Sequence, residues 1–464
     1  MKKIFTSLLF PLLLGVISSC DDSLDIVPKG QTTLNNLKDI ELLLNQNIRL
    51  EEDPSAWMGL LIDECYPAGN QVTAMLSNPN STSYAYLTYD ENVDRISLTT
   101  NDERFRQIYR YINFMNVVID RVNDIDPESQ TGKRLIAESR VMRAYLHFLC
   151  VNIYAAQYDK STADNLGGIC YVDEIDITKV KNKLTLAESY NRILDDCSDE
   201  VIKNLIGCTT DVCRIDPGTA FAIRARVLFQ MKRYPEAAVY AKKAIEQNNH
   251  MEDRSVIKQT RVWKLDQNDP SYFLYIQGRM SCFPTMVPAS HSTISKFEEG
   301  DYTMKYCSSG WTLGYGESYC GVPGTIGLSS WSTYGTAYGL RVETMYYILA
   351  ECEIRAGNYA TGLDYVDQVR AKRVEDYEPF ATRPNLDEAS AMALLQDAKT
   401  IEFFASCENF FDRKRWNTEP AYTKTIVRDL GDLGTYTLRP DSKLYICPFP
   451  SNSTRYCPSL SQNI

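Results

Sequence analysis

The sequence predicts a mainly α-helical chain, a tetratricopeptide-like repeat scaffold interrupted by long loop-rich insertions. Three observations carry that expectation. Apolar residues recur at three- and four-residue steps in several segments, the period of a helix with one buried face. Two later segments share one spacing of small and aromatic residues, as stacked helical repeats do. Two other stretches are rich in Gly, Ser, Asn and aromatic residues and have no helical period.

In chain order, the first element is a leader. Met1-Lys2-Lys3 precedes an apolar run from Leu8 to Ile17, followed by Ser18-Ser19-Cys20. A positive tip, a short apolar core and small residues before a cut site make residues 1–19 a secretory signal peptide. The run is too short for an ordinary membrane span. Ile17-Ser18-Ser19-Cys20 matches the bacterial lipoprotein pattern, in which the cysteine is acylated, as with palmitate, and becomes the new N-terminus. Cys20 is thus the expected lipid anchor; the alternative is a plain secreted chain. Residues 20–35 read as the anchor and a polar, acidic tether, and 36–464 as a single domain.

From Leu37 the pattern turns helical. Leu37, Ile40, Leu43 and Leu44 line one face, as do Phe105, Ile108, Ile112, Met115 and Ile119. A third helix is predicted over 134–154 and a fourth over 186–205. In the first repeat Ala225 is followed by Tyr234, Ala237, Ala241 and Ala244; in the second, Ala350 is followed by Tyr359, Gly362, Val366 and Val369 at the same steps. Small residues there let two antiparallel helices approach, with Lys232-Arg233 and Gly357-Asn358 at the turns. Such units bury a shared core by stacking. Between the copies, residues 263–340 carry Gly310, Gly314, Gly316, Gly321, Gly324 and Gly327, which break regular elements. Residues 53–100 are similar in kind. The domain therefore divides into an N-terminal helical part (36–262, with insertion 53–100), an aromatic and Gly-rich insertion (263–340), and a C-terminal helical part with its tail (341–464).

Composition narrows the function. The formal charge of the 464 residues is −11, and loss of Lys2 and Lys3 with the leader makes it more negative still. That balance argues against nucleic acid, whose phosphates need clustered Lys and Arg, and against a polybasic grip on lipid. Three His are thin material for acid–base or metal chemistry. No nucleophile elbow or phosphate loop is present, so no catalytic residue, cofactor or metal is expected. The chain has 14 Cys, which an exported protein can oxidise. Cys208 with Cys213, Cys307 with Cys320 and Cys447 with Cys457 are candidate pairs, though sequence leaves the connectivity open. Cys150 and Cys352 lie in helical patterns and are expected to be buried small apolar groups.

The chain has 30 Tyr and 5 Trp. Sugars lay CH-rich faces on aromatic rings and offer hydroxyls to polar side chains, and rigid rings give contact area at low entropic cost. Trp311, Tyr315, Tyr319, Trp331 and Tyr334 sit on Gly-rich loops; Trp57, Tyr66, Tyr84 and Tyr86 form a second cluster. These are the candidate ligand-binding residues, with Asp63, Asn70, Gln71, Asn78, Asn80 and Glu317 as polar partners. The other reading of each ring is packing of the insertion onto the helices. Arg413, Lys414, Arg415 and Trp416 form the densest basic cluster. A structural role, with Asp412 and Glu408 paired to nearby arginines, is expected there and likewise for Glu138, Arg140 and Arg143.

Several motifs occur in a shared order. Cys20-Asp21-Asp22-Ser23 opens the mature chain. Phe105-Arg106-Gln107-Ile108-Tyr109 with Ile112 to Asn116, and Glu138-Ser139-Arg140-Val141-Met142-Arg143-Ala144-Tyr145, mark two helices. Leu340-Arg341-Val342-Glu343 to Ala350-Glu351 and Val369-Arg370-Ala371-Lys372-Arg373 follow. Ile401-Glu402-Phe403-Phe404, then Phe411-Asp412-Arg413-Lys414-Arg415-Trp416, and Pro458-Ser459-Leu460-Ser461-Gln462-Asn463 close the series. In this order the chain resembles the SusD/RagB-like outer-membrane nutrient-binding lipoproteins of Bacteroidetes. Phe105 stands where the family has Trp, Asn409 where Gly is frequent, and Cys457 where Asn is common. The resemblance implies a SusD-like helical fold, outer-membrane anchoring facing outward, and a SusC-like TonB-dependent transporter as partner. It implies binding of oligosaccharides, or of peptides in RagB-type members, for delivery to that barrel without catalysis.

Overall fold

The structure, a computed structural model, describes residues 34–50, 57–67, 71–176, 178–207, 211–261, 263, 268–279, 286–307, 320–329 and 334–464. Two long helices, Glu103–Ile125 and Gln130–Tyr154, pack along each other. Each begins at a side-chain cap. Asp102 accepts the Phe105 N–H at 3.2 Å, and Ser129 Oγ accepts the Gly132 N–H at 3.0 Å, satisfying donors that have no partner inside the helix. The helix predicted over 186–205 is two helices, Leu186–Asp196 and Asp199–Ile202. The chain leaves helical angles between them, where Ser198 is extended at φ −71° and ψ 160°.

Both repeats are helical hairpins. Pro217–Gln230 folds back onto Tyr234–Gln247, and Val342–Arg355 onto Tyr359–Arg370, with Tyr234–Gln247 packed on Val342–Arg355 between them. The small residues lie inside: Ala225, Ala237, Ala241, Ala244 and Ala350 are fully buried. A Cβ at Gly362 would stand 2.6 Å from Ile354 Cγ1 and 2.7 Å from the Ala350 carbonyl, so this approach requires glycine. The turns match as well, with Lys232 at φ 60° and Gly357 at φ 86°.

Where it is described, the 53–100 stretch alternates loop with helix. It holds four short helices, Met58–Leu61, Gln71–Leu76, Thr82–Thr88 and Arg95–Leu98. They are too short for an apolar period to register, and two are set by Ser81 and Asp94 caps. The described parts of 263–340 form short strands and the short helices His291–Ile294 and Tyr302–Cys307. Ile276–Arg279 pairs in parallel with Ile48–Leu50 and antiparallel with Tyr334–Gly335. Met286–Ala289 pairs with Ile326–Ser329, and Tyr272–Leu274 with Leu340–Arg341. The two insertions meet: the Tyr66 N–H donates to the Pro288 carbonyl at 2.8 Å, and Ser290 Oγ to the Asp63 carbonyl at 2.6 Å. Arg428 clamps this seam, with Nε 2.9 Å from Asp63 and its guanidinium 4.3 Å from the Tyr89 ring.

Two of the expected cysteine pairings are not made, and the third lies partly outside the described residues. Cys447 Sγ lies 3.8 Å from Asp102, while Cys457 Sγ faces the Lys181 carbonyl at 3.4 Å. Cys307 packs with Ile257 and Tyr302, while Cys320 Sγ is 3.1 Å from Thr325 Oγ1. Cys208 is outside the described residues, and Cys213 Sγ contacts Asn47 Oδ1 at 2.5 Å. Cys150 and Cys352 are buried, as their helical positions require.

Candidate functional site

The predicted aromatic residues separate into three groups. Cys20, Trp311, Tyr315, Tyr319 and Trp331, with Asn70 and Glu317, lie outside the described residues, as do the side chains of Tyr334 and Gln71. Trp57, Tyr66 and Tyr86 are 4%, 3% and 8% exposed, so this cluster is core packing and not a ligand shelf. The Trp57 ring lies 5.0 Å from Phe410 and 5.8 Å from Tyr86, with the Arg104 guanidinium 4.6 Å above it. The Thr82–Thr88 helix turns Tyr86 inward and leaves Tyr84 half-buried. Asp63 is buried against Arg428, whereas Asn78 and Asn80 are exposed.

A different aromatic site is assembled. A cleft open to solvent is lined by Trp263, Tyr272, Arg341, Phe404 and Glu408, with Glu252, Thr336 and Ser406 among its polar walls. Its parts come from distant segments: the stretch after the first repeat, the Tyr272–Leu274/Leu340–Arg341 strand pair, and the turn between Glu388–Glu402 and Cys407–Trp416. That turn carries Ala405 at φ 61°. Trp263 is half-buried and held from two sides. Its indole N–H donates to Glu252 Oε1 at 2.8 Å, and the Arg254 guanidinium lies 4.6 Å from its ring. A cation over an indole is attracted by the ring quadrupole, so the ring is fixed before any ligand arrives.

Beneath the cleft is an ion network. Glu402 binds Arg254 at 3.2 Å, Arg341 at 2.8 Å and Arg373 at 2.7 Å, and Arg373 also reaches Glu343 at 2.6 Å. Burial alone would raise the Glu402 carboxyl, but Arg254, Arg373 and Arg341 outweigh it and hold it well below the usual range. Glu252 is held down by the same three arginines against the same burial. Both stay ionised, so their hydrogen bonds to the Trp263 wall and the arginines are charge-assisted. The arrangement offers a rigid aromatic face beside fixed hydroxyls and carboxylates. Trp263 stands at the edge of the 263–340 insertion and Tyr272 within it, and no local pattern marks either as a binding residue. The available signal was that Trp263 is one of five Trp.

The basic motif is structural. Arg415 and Glu351 are fully enclosed and joined at 2.5 and 2.8 Å, and Trp416 Nε1 donates to Glu351 at 3.2 Å. Asp412 takes Lys399 at 2.5 Å and Arg415 at 3.1 Å, and Glu408 takes Arg226 at 3.3 Å. Burial raises the Glu351 carboxyl, yet Arg415 and Arg355 bring it down to about 2. Lys414 Nζ donates to the Asn152 and Ala155 carbonyls at 2.6 and 2.8 Å. Arg143 binds Asp196 at 2.7 Å, and Glu138 binds Arg214 at 2.8 Å. His147 is a satisfied core residue: Nδ1 contacts the Arg143 carbonyl at 2.9 Å, and Nε2 accepts the Val172 N–H at 3.1 Å. Among the described residues no group of three His, Cys, Asp or Glu is placed to hold a metal ion, and no helix is long and apolar enough to cross a membrane.

Comparison with known proteins covers most of the chain. Residues 63–228 match a family model described as starch-binding, associating with the outer membrane, and residues 318–463 match the model of the SusD family. A SusD superfamily protein from Bacteroides thetaiotaomicron superposes with a TM-score of 0.67 at 15% identity, over 92% of this chain and 100% of that one. A SusD superfamily protein from Bacteroides vulgatus gives 0.63 at 14%, over 92% and 99% of the two chains. A SusD-like carbohydrate binding protein from Bacteroides vulgatus gives 0.59 at 14%, over 91% and 96%. At such identities the fold is what is shared. No curated protein matches the sequence.

Proposed function

The chain belongs to the SusD family, and on that premise we propose that it is a cell-surface lipoprotein that binds oligosaccharides and delivers them to a SusC-like TonB-dependent transporter. In this reading residues 1–19 are removed, Cys20 is acylated and moors the chain to the outer membrane, and 20–35 spaces the domain from it. The observation that carries the ligand class is the Trp263 cleft. A pyranose needs a flat apolar face and a ring of hydrogen-bonding groups at its rim. The indole fixed by Glu252 and Arg254 supplies the first, and the Thr336 and Ser406 hydroxyls on the cleft wall supply the second. A carbohydrate-binding member with the same fold supports the assignment. In this reading the cleft holds the ligand and releases it unchanged.

Calorimetric titration of the purified protein with a panel of glycan fragments and a panel of peptides tests this. Saturable binding of a glycan is expected. Saturable binding of peptides with no glycan response would replace the reading by a RagB-type peptide carrier with the same transporter partnership.

A further inference from the structure

The cysteine that departs from the family pattern has a neighbour that sequence spacing did not suggest. Cys457 follows the short helix Ser451–Tyr456, and Cys170 ends the strand Gly167–Cys170. Both Sγ atoms point at the Lys181 carbonyl, Cys170 at 3.5 Å and Cys457 at 3.4 Å. Sharing that acceptor places the two sulfurs within about 7 Å of each other. We propose that Cys170 and Cys457 form a disulfide that fastens the C-terminal segment to the Gly167–Cys170/Lys183–Thr185 strand pair.

The surroundings favour the bond in three ways. First, contacts that involve no sulfur hold the two backbones in place. Lys183 Nζ donates to the Ser461 carbonyl at 2.7 Å and to Asn463 Oδ1 at 3.0 Å, and Asn463 Nδ2 donates to the Tyr154 and Gly168 carbonyls at 2.8 and 2.9 Å. Little chain order remains to be lost on closure. Second, Ser459 Oγ donates to the Lys181 carbonyl at 3.1 Å, so that acceptor keeps a donor when both S–H groups are gone. Third, the sulfurs differ in access. Cys457 is half-buried and Cys170 is 6% exposed, so an oxidant reaches Cys457 first and Cys170 resolves the intermediate.

The chemistry is thiol–disulfide exchange with an external disulfide as oxidant. The Cys457 thiolate attacks one oxidant sulfur and expels the other as a thiolate, giving a mixed disulfide. The Cys170 thiolate then attacks the Cys457 sulfur and expels the second oxidant thiolate. One S–S bond forms in the protein and one breaks in the oxidant; the oxidant takes two electrons and, with the two protons released, leaves as two thiols. Only the supply of such an oxidant in the cell rests on the exported location proposed above, since oxidising compartments are where these bonds persist. Cys150 is the third sulfur nearby, but it is fully buried and contacts Tyr109 Oη at 3.7 Å.

The purified protein is equilibrated with oxidised glutathione, alkylated, digested and read by mass spectrometry. A peptide pair linked through Cys170 and Cys457 is expected, lost on reduction and absent from Cys457→Ser. The thermal midpoint of the wild type rises on oxidation, and that of Cys457→Ser does not. Separate alkylation of Cys170 and Cys457 after oxidation would overturn the proposal, as would Cys457 linked to Cys150 or Cys447. The result is independent of where the chain resides, so it leaves the export reading standing or falling on its own test.

Discussion

Trp57 and Trp263 carry the same ring with an arginine above it at the same 4.6 Å. Their other surroundings differ. Trp57 is enclosed by Phe410 and Tyr86, and its indole N–H has no hydrogen-bond partner among the described residues. Trp263 lines an open cleft, and its N–H is taken by Glu252. The first ring serves cohesion, where buried area dominates. The second serves presentation, because a fixed polar partner orients the indole while leaving surface free. Arginine stacking alone therefore does not separate a binding ring from a packing ring; the cover on the remaining surface does.

Stability measurements can break this contrast, beginning with its largest consequence. Trp57→Ala should lower unfolding free energy by about 3–5 kcal/mol, as for other buried aromatic truncations. A loss under 1 kcal/mol in urea titration would mean the ring is not core. Acid sensitivity should come next and belongs to the enclosed scaffold. Burial first, and then Arg143, push His147 down from 6.5 to about 3. The unfolded chain then binds more protons between those values, so stability present above pH 6.5 drains away as pH falls. About 1.5 kcal/mol should go between pH 6.5 and 5. Glu64 runs the other way, since burial pushes its carboxyl from 4.5 up to about 8 and its contribution falls as pH rises through that window. Comparing wild type with His147→Gln across this range isolates the histidine; parallel curves would contradict the assignment.

Smaller effects sharpen the picture. Gly357→Ala places a Cβ in open space at φ 86°, so only backbone strain changes, and about 1 kcal/mol should be lost. An unchanged denaturation midpoint would show that the second repeat's turn is relaxed. Trp263→Ala should cost the least, about 1 kcal/mol or less, as expected for a partly exposed side chain that packs only on the small Ile257, Tyr302 and Cys307 cluster.

The legible parts of the fold were those set by local spacing. The Ala225 to Ala244 and Ala350 to Val369 patterns lie in helical hairpins because their small residues occupy the contact face. The break at Ser198 was invisible because Leu186 to Leu205 is apolar at helical steps on both sides of it. Trp57, Tyr66 and Tyr86 read as loop residues because Pro, Asn and Ser surround them, yet the Ser81-capped Thr82–Thr88 helix turns Tyr86 inward, Trp57 opens the Met58–Leu61 helix, and the Pro288 carbonyl holds the Tyr66 backbone against the second insertion. The Trp263 cleft is assembled from three segments spread over residues 252–408, held by Glu402, Arg341 and Arg373. No local pattern encodes such a meeting. The Cys170 and Cys457 encounter was missed for the same reason, since only folding brings the tail to that strand.

The most direct test of the central claim is ligand titration of Trp263→Ala beside wild type, using whichever glycan fragment the wild-type protein binds. The account predicts an intact fold by circular dichroism and affinity reduced about tenfold or more, equivalent to roughly 1.4 kcal/mol or above. A variant that folds normally and binds the glycan as tightly as wild type would contradict it.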